Sequence, residues 1–166
     1  MELRKFDPRN QPGQHKEKET EDESLRVPLV RDLMTTDLFT LSKDDNLKTL
    51  EDMMKWRAIR HIPVVDEEHH VVGLVTHRDL LKYSISGFAS VDEEEKDAIN
   101  RSIPVSSIMK TNIHSIPPDT SLQDAARMML KYKFGCLIIV ENEKLAGIIT
   151  EADFMKFFVE RDVFSE

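Results

Sequence analysis

The sequence predicts a mixed α/β (α+β) fold made of two copies of one β-α-β-β-α unit sharing a core. Three observations carry this prediction. The phrase "GLVTHRDLLKY" (73–83) returns as "GIITEADFMKF" (147–157), 74 residues later. Upstream, "VRDLMTTDLFTLSKDDNL" (30–47) aligns with "VSSIMKTNIHSIPPDTSL" (105–122) at an offset of 75. In both copies, short apolar runs and stretches of helical spacing follow in the same order. Self-similarity at a long period marks a duplicated structural unit.

Each unit opens on a short extended segment, Phe39–Leu41 in the first copy and His114–Ile116 in the second. A helix follows. Leu47, Leu50, Met53 and Met54 recur at three- and four-residue spacing, as do Leu122, Ala125, Ala126, Met129 and Leu130; that spacing is one helix face. Asp44 or Asp45, and Asp119 or Thr120, are placed to cap these helices. The continuous apolar runs "IPVV" and "LIIV" read as strands buried on both faces. A polar turn leads to the next strands, "VVGLV" and "LAGII". The single-residue difference in offset falls in this turn, "EEHH" against "NEK", where a duplicated fold tolerates a deletion. A second helix runs from about Thr76 to Tyr83, and from about Thr150 to Val159.

The chain divides accordingly. Residues 1–26 mix charges of both signs with Pro, Gly and Gln, a disordered tail that cannot offset its ordering entropy by burial. The first repeat occupies 27–84. An acidic linker, 85–104, reads as a solvated helix or loop. The second repeat occupies 105–160, and 161–166 form the C-terminal end.

Composition narrows the function. Of 166 residues, 40% are apolar, enough for one core. A net charge of −8 argues against nucleic acid and anionic membrane as partners. The single cysteine, Cys136, sits in the apolar run "CLIIV" and reads as a buried thiol. No apolar stretch nears the ~20 residues of a membrane span, and the N-terminus lacks a secretory h-region, so the expected location is cytoplasmic. Adjacent His69 and His70 diverge and do not make a metal site by themselves. No nucleophile, base and orienting group form a catalytic set. The expectation is a non-enzymatic protein without catalytic residues, metal or resident cofactor.

The ordered pair "VRDLMTTDLFTL", "AIRHIPVVD", "VVGLVTHRDLL" and "VSSIMKTNIHSI", "FGCLIIVE", "LAGIITEADF" resembles a tandem pair of cystathionine-β-synthase-type (CBS) domains. The resemblance covers roughly residues 27–160. It implies a pseudo-twofold module with two clefts that take AMP, ADP, ATP or S-adenosylmethionine, assembled as a homodimer and regulating another protein. By the same resemblance, one cleft takes Leu74, Thr76, His77, Arg78 and Asp79 with Thr111, Ser115, Phe134 and Gly135. The other takes Ile148, Thr150 and Asp153 with Thr36, Thr40, Ile59 and Arg60.

The repeated Thr-x-x-Asp element supports two readings. An Asp carboxylate fits the vicinal hydroxyls of a ribose, and Thr at a helix start offers a hydroxyl beside free N–H groups to a phosphate. Glycine lets a ligand approach the backbone. Yet Thr76 with Asp79, and Thr150 with Asp153, also satisfy a helix-capping pattern that needs no ligand. "THRD" carries cations where "TEAD" carries Glu151, so the Asp79 cleft is the expected phosphate site. The alternative function is a ligand-free structural or interaction module that docks a partner enzyme.

Overall fold

The computed structural model describes Lys5–Phe6 and residues 27–87 and 92–160. The rest of the expected tail, 88–91 and 161–166 lie outside the described residues. Within the tail, β1 (Lys5–Phe6) pairs with β2 (Leu38–Phe39).

The described residues form two compact units, one of which holds Phe39–Ile113 and the other 27–38 together with 114–160. The first contains α1 (Leu47–Arg57), β3 (His61–Val65), β4 (Val71–Thr76), α2 (His77–Gly87) and α3 (Glu93–Ser102). The second contains β5 (Ser115–Ile116), α4 (Leu122–Tyr132), β6 (Cys136–Glu141), β7 (Lys144–Thr150) and α5 (Glu151–Glu160). With β2 counted ahead of α1, the expected β-α-β-β-α order is present in both repeats, and α3 is added after the first.

The hairpins share their register. β3 runs antiparallel to β4 with Ile62 opposite Val75; β6 runs antiparallel to β7 with Leu137 opposite Ile149. Both hairpins shift register at equivalent places, after Val64 and after Ile139. They differ at the turn where the residue was lost. Asn142 and Glu143 both take positive φ in a two-residue connection, which suits a tight hairpin. The longer β3–β4 turn is tied by Asp66, which accepts from the N–H groups of Glu68 and His70.

The helices start one residue later than the sequence suggests. Asn46 caps α1 by accepting from Thr49 N at 3.0 Å, and Ser121 caps α4 by accepting from Asp124 N. Asp45 instead closes the preceding turn on Ser42 N. Position 46 or 121 lies three residues before the donor that needs a partner. The buried face of α1 is Leu47, Leu50, Met53 and Met54, as expected, and that of α4 is Leu122, Ala125 and Met129. Leu130 departs from expectation: it is 80% exposed. Cys136 is buried at the start of β6.

Each core includes the leading segment of the other sequence repeat. Val105 is fully buried in the first unit, with Ile108 and Met109 packed against that core. Val30 is fully buried in the second, with Leu33 and Met34 against it. Both segments open on a 3-10 turn, Val30–Asp32 and Val105–Ser107. They then bridge an edge strand: Lys110 with Leu74, Thr35 with Ile148.

The acidic linker is more than a solvated connector. Asp92 caps α3, and Glu93, Glu94 and Glu95 face solvent, but its other side packs on α1. Lys48 pairs with Asp97 at 3.1 Å, and Lys96 with Glu51 at 3.3 Å. Asn100 is buried and donates to Glu51.

Candidate functional site

Each hairpin ends in Thr and passes directly into a helix. In the first unit, Thr76 closes β4 and Asp79 sits in the first turn of α2. Thr76 donates to Asp79 Oδ2 from both its backbone N–H and its hydroxyl, and Asp79 N donates back to the hydroxyl. In the second unit, Thr150 N and Oγ1 donate to Asp153 Oδ2 at 2.7 and 2.8 Å. The capping reading therefore holds in both copies. It also uses only one oxygen of each carboxylate. A ribose diol would have to be received by the remaining oxygen, Oδ1, rather than by both.

That second oxygen differs between units. Lys110 Nζ lies 2.9 Å from Asp79 Oδ1, with Asp79 buried and Lys110 about half exposed. Among the described residues, Asp153 Oδ1 has no such partner. Burial alone would raise the Asp79 pKa. The Thr76 hydroxyl, the Lys110 ammonium and the Thr76 N–H outweigh it and hold the carboxyl below its ordinary value.

Glycine at these hairpins serves packing. A Cβ on Gly73 would lie 2.6 Å from the Met109 sulfur, and one on Gly147 2.7 Å from the Met34 sulfur. The space beside each glycine is filled by the segment from the other repeat.

The remaining expected residues divide between the units. In the first, Leu74 is half-buried on β4 beside Lys110, whose neighbour Thr111 is exposed; His77 and Arg78 are exposed at the start of α2. Arg60 joins this group through its carbonyl, which accepts from His77 N at 2.8 Å. Ile59 is half-buried and Thr40 buried. In the second unit, Ile148 is buried on β7 beside the segment that carries Thr36, and the Gly135 carbonyl accepts from Glu151 N. Ser115 is exposed on β5. Phe134 stacks on His114 at 4.4 Å between ring centroids, and Tyr132 lies 5.5 Å from Phe134. His114, Tyr132 and Lys110 were not among the sequence candidates. Lys110 was visible only as a mismatch, "IMKT" against "LMTT".

Asp66, Glu68 and His70 bring three potential metal ligands within 4.8 Å of one another. Asp66 is committed to the turn described above, and its other oxygen lies 3.1 Å from His70 Nδ1.

A family model described as CBS domain matches residues 30–86 and 105–160. The chain belongs to the CBS domain family. It is 30% identical over 132 residues to a CBS domain-containing protein of Dictyostelium discoideum, covering 79% of this chain and 91% of that protein. It is also 30% identical to an uncharacterized protein of Methanocaldococcus jannaschii, of which it spans 32%. Of the Aquifex aeolicus inosine-5'-monophosphate dehydrogenase, 34% identical over the matched part, it spans 22%. Among solved structures, a protein assigned to acetoin utilization (AcuB) from Vibrio cholerae superposes with a TM-score of 0.71 at 31% identity, covering 82% of this chain and 95% of that one. The structure of CBSX2 in complex with AMP superposes at 0.66 with 25% identity, covering 80% and 97%. The CBS pair of protein MJ0100, solved with 5-methylthioadenosine and S-adenosyl-L-methionine, shares the fold at 21% identity and a TM-score of 0.68, covering 82% and 100%. No helix among the described residues is long and apolar enough to cross a membrane.

Proposed function

We propose that this CBS pair is a non-enzymatic sensor that binds adenine-containing ligands, AMP, ADP, ATP or S-adenosylmethionine, and signals to a partner protein. The observation that carries the reading is the doubled strand–Thr-x-x-Asp–helix element. In both copies the cap consumes one carboxylate oxygen; the other is open to a ligand hydroxyl at Asp153 and is paired with Lys110 at Asp79. Helix N–H groups and the Thr hydroxyl stand beside it. The AMP complex of the CBSX2 neighbour supports the ligand class. The binding residues proposed are Thr76 and Asp79 with His77, Arg78 and Thr111, and Thr150 and Asp153 with Thr36.

A thermal-shift series with AMP, ATP, NADH and S-adenosylmethionine tests this, because a ligand that binds only the folded chain raises its melting temperature. A rise of several degrees with an adenine ligand is expected. No rise with any of them would favour a docking module whose Thr-x-x-Asp elements are caps alone.

The assembly proposed is a homodimer. Met155, Phe158 and Val159 of α5 and Leu130 of α4 are exposed. Burying such side chains against a second copy is favourable and closes under twofold symmetry. Light scattering at micromolar concentration should report twice the chain mass.

A further inference from the structure

The two Thr-x-x-Asp elements differ at the aspartate itself. Thr76 and Thr150 occupy Oδ2 in the same way. Lys110 occupies Asp79 Oδ1 at 2.9 Å. The residue bridging the equivalent strand in the second unit is Thr35, which is uncharged. Glu151, next to Thr150, adds a negative charge where the first unit has His77.

We infer that Lys110 sets the charge selectivity of the Asp79 element: it takes adenine ligands that carry a phosphate, whereas the Asp153 element takes those that carry none. This rests on the ligand-binding reading above and deepens it.

The reason is an exchange of partners. A carboxylate oxygen accepts about two hydrogen bonds. Oδ2 of each aspartate already has two donors from its threonine. Oδ1 of Asp153 can therefore receive a ribose diol directly. Oδ1 of Asp79 has one position left, and a diol must displace the ammonium to use both. An uncharged nucleoside breaks the ion pair and returns nothing to Lys110. A phosphorylated one offers a new anion within the sweep of a flexible, half-exposed side chain, and charge-assisted contacts are the stronger class. At the Asp153 element the balance reverses. A neutral nucleoside displaces no cation, while a phosphate meets Glu151 and Asp153, with Thr35 standing where the first unit has Lys110.

Calorimetric titration of the full chain with AMP and with adenosine tests the assignment. Asp153→Asn isolates the Asp79 element, and Asp79→Asn isolates the other. The Asp79 element should bind AMP on the order of tenfold tighter than adenosine. Lys110→Met should lower that ratio several-fold, with His77 and Arg78 keeping a remainder, and Lys110→Arg should keep it. Thr35→Lys should confer an AMP preference on the Asp153 element, which otherwise favours adenosine. A ratio unchanged by Lys110→Met overturns the inference and leaves the ligand reading standing. If the wild type binds neither probe, the ligand reading and the inference fall together. Circular dichroism checks each variant's fold. Should Lys110→Met melt early, Thr35→Lys decides: transfer of the preference supports the assignment, and its absence overturns it.

Discussion

The two compact units follow one plan, yet among the described residues the first carries ion pairs between its elements that have no counterpart in the second. Two pieces make the difference. α3 lies along α1 and joins it through Lys48–Asp97 and Lys96–Glu51. At the positions equivalent to Lys48 and Glu51, α4 carries Gln123 and Ala126. Lys110 then neutralises Asp79, where Thr35 leaves Asp153 alone. A duplicated scaffold thus keeps its apolar skeleton while its polar attachments diverge. The skeleton is constrained by close packing, whereas an ion pair at the surface contributes little to folding and is free to be altered for another purpose.

The largest expected effect tests the skeleton. Leu50 is fully buried in the first unit, and its counterpart in the second is Ala125. If the cores were interchangeable, Leu50→Ala would be mild. A core built around leucine should lose about 2–5 kcal/mol, measured by urea denaturation. A loss below about 1 kcal/mol would show that the site collapses to resemble its twin.

Next come the glycines. Gly147→Ala should cost about 1–3 kcal/mol, because the new methyl meets the Met34 sulfur and also the Thr35 carbonyl at 3.1 Å. Gly73→Ala should cost less, since Lys110 O stands back at 3.4 Å and the overlap falls chiefly on a pliant methionine. Equal melting temperatures for the two variants would remove this distinction.

Glu51→Ala probes the brace on α1. It strips Asn100 and Lys96 of an acceptor, and Asn100 is buried, so about 1–2 kcal/mol should be lost. Ala126→Glu in the second unit, with no α3 to meet it, should stay within about 0.5 kcal/mol.

The smallest effect is electrostatic. The Asp79 carboxyl is depressed below its ordinary 3.8 despite burial, by Thr76 and Lys110. Its contribution to stability is complete above that value and fades as pH falls through the lowered one. Lys110→Met should therefore cost about 0.2–1 kcal/mol at pH 7, a difference that shrinks in melts below about pH 3.8. A gap that persists undiminished in acid would assign the loss to packing by the lysine stem.

Much of this was legible beforehand. Apolar spacing located both helices and all four hairpin strands, because each reports a local period that burial enforces. The Thr-x-x-Asp caps were legible for the same reason: donor and acceptor lie three residues apart. What was hidden is long-range. Nothing in "VSSIM" says that Val105 docks in the core of the first unit. The packing role of Gly73 was hidden because Met109, its neighbour in space, is remote in sequence. Lys110 gains its meaning only from Asp79, reached through the Leu74 bridge. Leu130 fitted the helical face but faces water, and the acidic linker, read as a solvated helix or loop, is a helix with only one side solvated.

The exchanged segments also order events on the ribosome. Val30, Leu33 and Met34 emerge early, but the strands they cover include β7, made more than a hundred residues later. Those side chains must wait, exposed, while the first unit is synthesised. The first unit in turn cannot close until Val105 and Met109 have cleared the exit tunnel. A nascent chain of which only the residues up to 104 have cleared the tunnel would hold one hairpin and three helices around an unfilled gap, and a chaperone that shields apolar surface would find both halves unfinished at once. Neither repeat, cut out at its sequence boundaries, contains the side chains that complete its own core.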